Sequence, residues 1–379
     1  MEYFLKSFAG KKVFWFKDKN QYLVSESSFS ILLEKCIQGI SFDTFIAYCK
    51  DKFKLSEEEG HSLFENCTAI IVHINSLPII SDQQLTSHLP HIYYEVYSSV
   101  SYHWNGKRIH VNYGSKQLED CIHPKFSHLQ IAEEIDLPVQ STFNIFEHNN
   151  QIVLRVDEDL VGTWSYEDSH LFQGKFSMKF LSQLTGKEDC DWLATLHASA
   201  VYKQGFCLVL LGESGKGKST TTSLLITRGY ELLADDFLPI EAHSKKAFPF
   251  PQAISIKNNI EQLTQYFPVL TKATSRQKNS EVQFRYLYPE IDLNQKQSSK
   301  FCKAFVFVNY KKGSATKLME LSKTKALEAL IPDSWISPLE ENSMAFLDAI
   351  LETPCYTLEY SRNSSMLNIM DQLMQDELQ

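Results

Sequence analysis

LGESGKGKSTTT, residues 211–222, sets a glycine, four intervening residues and then Gly217, Lys218 and Ser219 in succession. That spacing marks a loop that cradles phosphates. Gly212, Gly215 and Gly217 permit tight positive-φ turns, so that backbone N–H groups across Glu213, Ser214 and Lys216 can turn inward to phosphate oxygens. The apolar run FCLVLL (206–211) reads as the strand that delivers the loop, and a helix opening near Lys218 adds the positive end of its dipole. In such a loop Lys218 reaches the β- and γ-phosphates, Ser219 offers its hydroxyl to Mg²⁺, and Thr220 assists near the α-phosphate. A chance match inside a glycine-bearing turn would not need the flanking strand and helix.

The loop alone does not choose among motors, switches, transporters and kinases. A switch or motor NTPase carries a Mg²⁺-organising aspartate on a later strand, yet KAFVFVNY (303–310) holds no carboxylate. The acids come sooner, in RGYELLADD (228–236), where Gly229 caps the loop helix and a short strand ends at Asp235 and Asp236. If that strand runs parallel to FCLVLL, both carboxylates reach the phosphate edge of the sheet. Side chains of a true strand alternate, so the pair is expected where the strand breaks. One carboxylate then suits Mg²⁺ and the other a proton from an attacking hydroxyl. TLHASAV (195–201) and FCLVLL are expected to pair as a hairpin, which sets His197 opposite Val209 to Leu211, beside the loop entrance.

Composition bounds the rest. The chain has 379 residues, enough for two or three domains, and 43% hydrophobic with 22% charged residues suits a globular protein with real cores. A net charge of -9 and a pI near 5.8 argue against a nucleic-acid partner, which would want a clustered basic face. The eight cysteines form no CxxC pair and read as reduced core residues. MEYFLKSFAGKK lacks the apolar stretch of a signal peptide, and no segment is apolar enough to span a bilayer, so a cytoplasmic location without membrane partners is expected.

Three regions separate by pattern. In residues 1–80, VFWF (13–16) and QYLV (21–24) suggest a hairpin, and three helical patterns follow; the third starts at Ser56 with a capping-box signal. Residues 78–90 read as a linker. Residues 90–165 read as mostly β, with turns at Asn105-Gly106 and Asn149-Asn150 and strand character through HIYYEVYSSVSYHW (91–104). From 166 to 379 strands and helices alternate, as in an α/β layer fold.

Together, LHASAV, LLGESGKGKST and RGYELLADD resemble the catalytic domain of bacterial HPr kinase/phosphorylase and related serine kinases, over about residues 160–379. The resemblance implies a P-loop fold of the HPr kinase and phosphoenolpyruvate carboxykinase type, ATP as donor with Mg²⁺, and a tendency to form homo-oligomers. It further implies that Lys218 and Ser219 bind nucleotide and Mg²⁺, Asp236 acts as base and His197 is an active-site residue; of the acid pair read above, Asp235 is then the carboxylate expected to hold Mg²⁺ with Ser219. FPFPQAISIK (248–257) looks like a strand of the same group and makes Lys257 a candidate near the phosphates. The family's downstream Glu-Arg-Gly segment is missing, which puts a reverse phosphorylase activity in doubt. The N-terminal stretch VFWFKDKNQYLVSESSFSILLEKC (13–36) with its helices resembles a PqqD-type winged-helix peptide-recognition domain, which holds the leader of a ribosomally made peptide as an added strand. The expectation is therefore a kinase for a Ser or Thr hydroxyl on a peptide or small protein. Two alternatives stay open, a kinase of a free amino acid or sugar and a nucleotide-binding regulator that transfers nothing.

Overall fold

The computed structural model describes residues 1–79, 92–132, 137–257, 260–277, 283–290 and 296–377. The chain opens with β1 (Tyr3–Phe8), β2 (Lys11–Phe16) and β3 (Gln21–Glu26), then α1 (Ser27–Ile37), α2 (Phe42–Tyr48) and α3 (Glu57–Ser76). A second stretch carries β4 (Ser98–Trp104), β5 (Lys107–Tyr113), α4 (Lys116–Phe126), β6 (Gln130–Ile131), β7 (Val139–His148), β8 (Gln151–Val156), β9 (Asp159–Trp164) and α5 (Ser169–Thr185). Then follow β10 (Trp192–Leu196), β11 (Ser199–Lys203), β12 (Phe206–Leu211), α6 (Lys218–Ile226), β13 (Glu231–Ala234), β14 (Leu238–Glu241) and β15 (Ile254–Lys257). The remainder is α7 (Glu261–Thr264), α8 (Val269–Lys272), β16 (Arg276–Gln277), β17 (Gln283–Leu287), β18 (Phe301–Tyr310), β19 (Lys317–Glu320), α9 (Lys323–Leu330), β20 (Ser334–Ile336), α10 (Glu340–Glu352), β21 (Cys355–Tyr360) and α11 (Asn363–Gln375).

One mixed sheet, ordered β13-β11-β12-β18-β21-β19, organises the α/β part. Its middle strands β12, β18 and β21 are parallel. Strand β12 is covered on both faces, which is why FCLVLL is a continuous apolar run and not an alternating one. Its side chains still divide by parity. Cys207, Val209 and Leu211 enter a large core shared with α4, α5, α9, α10 and the β4–β9 sheet, whereas Leu208 and Leu210 pack with α6 and α11. Strand β13 is antiparallel to β11, which is antiparallel to β12, so β13 points the same way as β12. Its C-terminal end thus reaches the edge where the phosphate loop begins.

The second six-stranded sheet is ordered β6-β4-β5-β7-β8-β9. Its β4–β5 turn uses Asn105 and Gly106 with φ of 55° and 75°, and its β7–β8 turn uses Asn149 and Asn150 at 49° and 58°, as the paired positive-φ requirement of tight hairpins demands. HIYYEVYSSVSYHW is a strand only over Ser98–Trp104; residues 92–97 lie outside regular structure despite their aromatics. Helix α4 interrupts this region and has no clear sequence signal, since it carries Pro124 within its span.

The N-terminal sheet has three strands in the order β1-β2-β3, one more than the expected hairpin. Strand β1 carries no clear sequence signal, because YFLKSF, half-buried except at Ser7, shows no alternation. In β2, Val13 joins the large core, while Phe14 and Phe16 pack with Leu33, Phe45 and Cys67 beneath α1–α3. The capping box at α3 forms as its sequence suggests: Ser56 N–H donates to Glu59 Oε2 at 2.7 Å, and Glu59 N–H donates to Ser56 Oγ at 3.2 Å. The linker read at 78–90 falls almost wholly on 80–91, outside the described residues. No helix among the described residues is long and apolar enough to cross a membrane, and all eight cysteines are free thiols.

His128, beside α4, has both ring nitrogens shielded from water. Burial pushes its pKa down to about 4, and the Pro251 backbone offsets only part of that. Because the folded pKa lies below the unfolded value of about 6.5, its contribution is intact above pH ~6.5 and is lost as pH falls toward ~4, by about 3 kcal/mol at most. Urea midpoints of wild type and His128→Gln between pH 7.5 and 4.5 should show the shallower acid loss in the variant; parallel curves would count against this account.

Candidate active site

The phosphate loop leaves β12 at Leu211 and enters α6 at Lys218. Gly212 has φ 142°, and a Cβ there would sit 2.6 Å from the Val308 carbonyl oxygen of the neighbouring strand β18. Gly217 has φ 97°, and a Cβ there would meet the Tyr360 hydroxyl at 2.8 Å. Gly215, φ 86°, faces open space. Two of the three glycines therefore answer close packing, Gly212 against backbone and Gly217 against tyrosine side chains, as well as turn geometry. The loop is pinned from behind: Tyr310 N–H donates to Lys216 O at 2.9 Å, and Thr221 Oγ1 shares a buried 2.9 Å hydrogen bond with the Tyr360 hydroxyl. Glu213, Ser214, Gly215 and Lys216 stay exposed on the crest, and Ser219 and Thr220 are half-buried in the first turn of α6. Helix α6 ends as Gly229, φ 78°, donates to Ile226 O and Tyr230 to Leu225 O.

Lys218 is only 7% exposed, and a buried ammonium demands a partner. Its Nζ lies 3.1 Å from Asp236 Oδ1 and donates to the His197 carbonyl oxygen at 3.4 Å. His197 Nε2 stands 3.7 Å from the same Asp236 oxygen. Imidazole, ammonium and carboxylate, from three separate segments, thus meet at one point. The hairpin that was expected to bring His197 there is different in detail. TLHASAV is not one strand: β10 pairs with β14 and β20 in a small separate sheet, and β11 pairs with β12, with Ser199 opposite Leu210. His197 occupies the joint between the two sheets, outside the hairpin, and its N–H donates to Asp333 O at 3.3 Å. The chain must change sheets there, and that step carries the imidazole past the end of β12 toward Asp236.

The two aspartates have opposite surroundings. Strand β13 ends at Ala234, and Asp236 takes φ 60°, so the strand alternation no longer applies. Asp235 is fully buried and accepts from the Ser199 hydroxyl, from Ser255 N–H at 3.0 Å and from Ser219 Oγ at 3.5 Å. Burial, and then the neighbouring Asp236 charge, push its pKa up. For Asp236 burial acts the same way, but the Lys218 ammonium, by its charge and its hydrogen bond, outweighs it and holds the carboxyl below the usual carboxylate range. Burial, followed by the Lys218 charge, lowers the His197 pKa and keeps the ring neutral near pH 7.

Asp235 is a buried carboxylate with no lysine or arginine at ion-pair distance among the described residues, and a hydroxyl beside it. Such a donor set fits Mg²⁺, which takes one or two carboxylate or hydroxyl oxygens and completes its shell with phosphates and water. Strand β15 adds Lys257, whose Nζ donates to Ser214 Oγ at 2.9 Å across the loop crest. Ser199, Ser255, Thr221, Tyr310 and Tyr360 were not singled out from sequence. A lone hydroxyl within the apolar ASAV run is the one signal that pointed to Ser199; the rest are placed by tertiary contacts alone.

No family profile matches the chain. Over 96 residues, 24% of its length, it is 36% identical to the HPr kinase/phosphorylases of Thermoanaerobacter sp. strain X514 and Thermoanaerobacter pseudethanolicus. Over 91 residues it is also 36% identical to the HPr kinase/phosphorylase of Caldanaerobacter subterraneus subsp. tengcongensis. The matches take in 31%, 31% and 30% of those proteins, so the chain spans about a third of the length of the curated relatives it matches. The HPr(Ser) kinase/phosphatase structure from Coxiella burnetii aligns with 48% of this chain and 94% of that one, at 12% identity and a TM-score of 0.22. The similarity in sequence is to the group that the three motifs resemble.

Gly212→Ala should lose both fold and binding, since clash with a backbone oxygen costs about 1–3 kcal/mol beyond the strain of positive φ. Gly215→Ala carries only the φ strain, about 1 kcal/mol. Thermal midpoints and nucleotide titrations of the two variants should rank them in that order; equal losses would contradict the close packing of Gly212 on Val308.

Proposed function

We propose that this chain is an ATP- and Mg²⁺-dependent kinase for a Ser or Thr hydroxyl on a peptide or small protein. The observation that carries the reading is the meeting of Lys218, Asp236 and His197 at the mouth of the loop, with Asp235 and Ser219 behind them. A nucleotide-binding regulator needs the loop but has no use for an ionised carboxylate in front of it.

In this reading the loop amides and Lys218, with Lys257 at the crest, hold the phosphates, and Asp235 and Ser219 would hold Mg²⁺. The metal supplies charge neutralisation on the phosphates. Asp236 accepts a hydrogen bond from the acceptor hydroxyl and takes its proton as the oxygen bonds to the γ-phosphorus and the bond to the departing ADP breaks. Its low proton affinity in the structure comes mostly from Lys218. Once Lys218 turns to the phosphates, Asp236 loses the strongest of the charges that hold its proton affinity down and becomes a better base. His197, neutral, orients that carboxylate without competing as a charge.

The N-terminal residues 1–80 would act as a PqqD-like capture unit that receives a leader segment as a strand on an edge of the β1-β2-β3 sheet. Several contacts fix this unit to the body. Asn20 Nδ2 donates to the Ile336 carbonyl oxygen at 2.8 Å, and Asn20 Oδ1 accepts from the Trp15 indole at 2.8 Å. Lys17 pairs with Glu340 at 3.5 Å, and Lys6 pairs with Asp348 on α10. Ile336 belongs to β20, which pairs directly with β10, the strand that leads into His197. A captured leader would therefore be held in a fixed relation to Asp236, and tethering raises the acceptor's local concentration.

Incubation with ATP, Mg²⁺ and a candidate precursor peptide, read by mass, should add one phosphate to the peptide. Asp236→Asn should cut transfer by about 10²- to 10⁴-fold and leave nucleotide affinity nearly unchanged; retained transfer removes Asp236 as base. Asn20→Ala should raise the KM for leader-bearing peptide and leave turnover of a leaderless acceptor as it was. Turnover of a free amino acid or sugar as fast as that of the leader-bearing peptide would favour a small-molecule kinase instead.

A further inference from the structure

We propose that two turns on the far side of the loop, Lys311–Ser314 and Ser361–Arg362, form the nucleoside subsite, with the Arg362 guanidinium laid against the base. The inference rests on the loop being a nucleotide site, and not on the transfer step. The loop has two flanks of different chemistry. Lys257, on Ser214, and the cluster of Lys218, Asp236 and His197 occupy one flank. A triphosphate whose terminal phosphate is held by Lys218 must send its nucleoside away from that cluster, over Lys216 and Gly217.

The opposite flank is built from the ends of β18 and β21, parallel strands whose C-terminal ends reach the same sheet edge as β12. Tyr310 is bonded through its N–H to Lys216 O, and a Cβ on Gly217 would come within 3.2 Å of the Tyr310 Cβ. The chain passes straight from Tyr310 into the first turn, where Gly313 has φ 81°, and from Tyr360 into the second. The turns are tied together: Lys311 N–H donates to Tyr360 O at 2.8 Å, and the Ser361 hydroxyl donates to Ser314 O at 2.6 Å. Both are therefore rigidly placed against the loop. Lys312 and Arg362 are exposed there and have no ion-pair partner among the described residues. A planar guanidinium stacks on a base, and an exposed ammonium on the adjoining turn serves ribose oxygens.

Calorimetric titration with Mg²⁺ compares ADP with pyrophosphate, which shares the phosphates and lacks the nucleoside. Wild type should bind ADP roughly tenfold more tightly than pyrophosphate, and Lys312→Ala/Arg362→Ala should erase that advantage with pyrophosphate affinity and thermal midpoint unchanged. Arg362→Lys should recover little, because the charge returns without the planar face. Lys218→Ala should weaken both ligands. If the double variant keeps the ADP advantage, or loses both ligands alike, the subsite is wrong while the loop reading stands. If wild type binds neither ligand, both readings fall together.

Discussion

A nearly dry ammonium sets the terms for this molecule. Lys218 sits at the N-terminus of α6 with almost no exposure, and its head group must be paired where it lies. Removing one partner of a buried pair leaves an uncompensated charge at a cost of about 3–5 kcal/mol. The fold accordingly brings a carboxylate from β13 and a carbonyl and imidazole from the β10–β11 joint to the same point. The glycines of the loop, the hydrogen bonds of Tyr310 and Tyr360 behind it and the parallel direction of β12 and β13 all serve that placement.

Next to that pair, two neighbouring aspartates diverge because the backbone turns between them. Asp235 follows the strand into the interior, where hydroxyl and amide donors reach it and no lysine or arginine among the described residues lies at ion-pair distance. Asp236, turned by its left-handed conformation, meets Lys218 instead. Adjacent carboxylates in one uniform environment would repel and do the same work. Placed on either side of a backbone reversal, one is short of positive charge and the other is well supplied. That difference gives two adjacent carboxylates opposite shifts in proton affinity, raised for Asp235 and lowered for Asp236.

The N-terminal sheet adds a mechanical constraint. One face of β2 covers its own helices and the other joins the large core, so the unit is not a loosely tethered bead. Asn20 couples it to β20 by using both ends of one amide, with its own turn in the left-handed conformation that asparagine tolerates. Orientation relative to the site is then set by short polar contacts and packing, which is the geometry that a tethered acceptor needs.

Much of the site was legible in sequence because it depends on local chemistry. Glycine spacing, the strand before it, the helix after it and the acid pair one strand later each carry their own periodicity or conformational demand. The capping box at Ser56 and the paired asparagine turns were legible for the same reason. Strand β1, helix α4 with its proline, and the change of sheet at His197 were not, since packing against distant segments overrides weak local preference there. Sequence by itself determined that residues 211–222 carry the spacing of a phosphate-cradling loop and that acids follow at a fixed interval. Only the tertiary structure decided which acid meets the lysine, because a single left-handed residue and the contacts of three strands distant in sequence assign those partners, and no local pattern encodes such contacts.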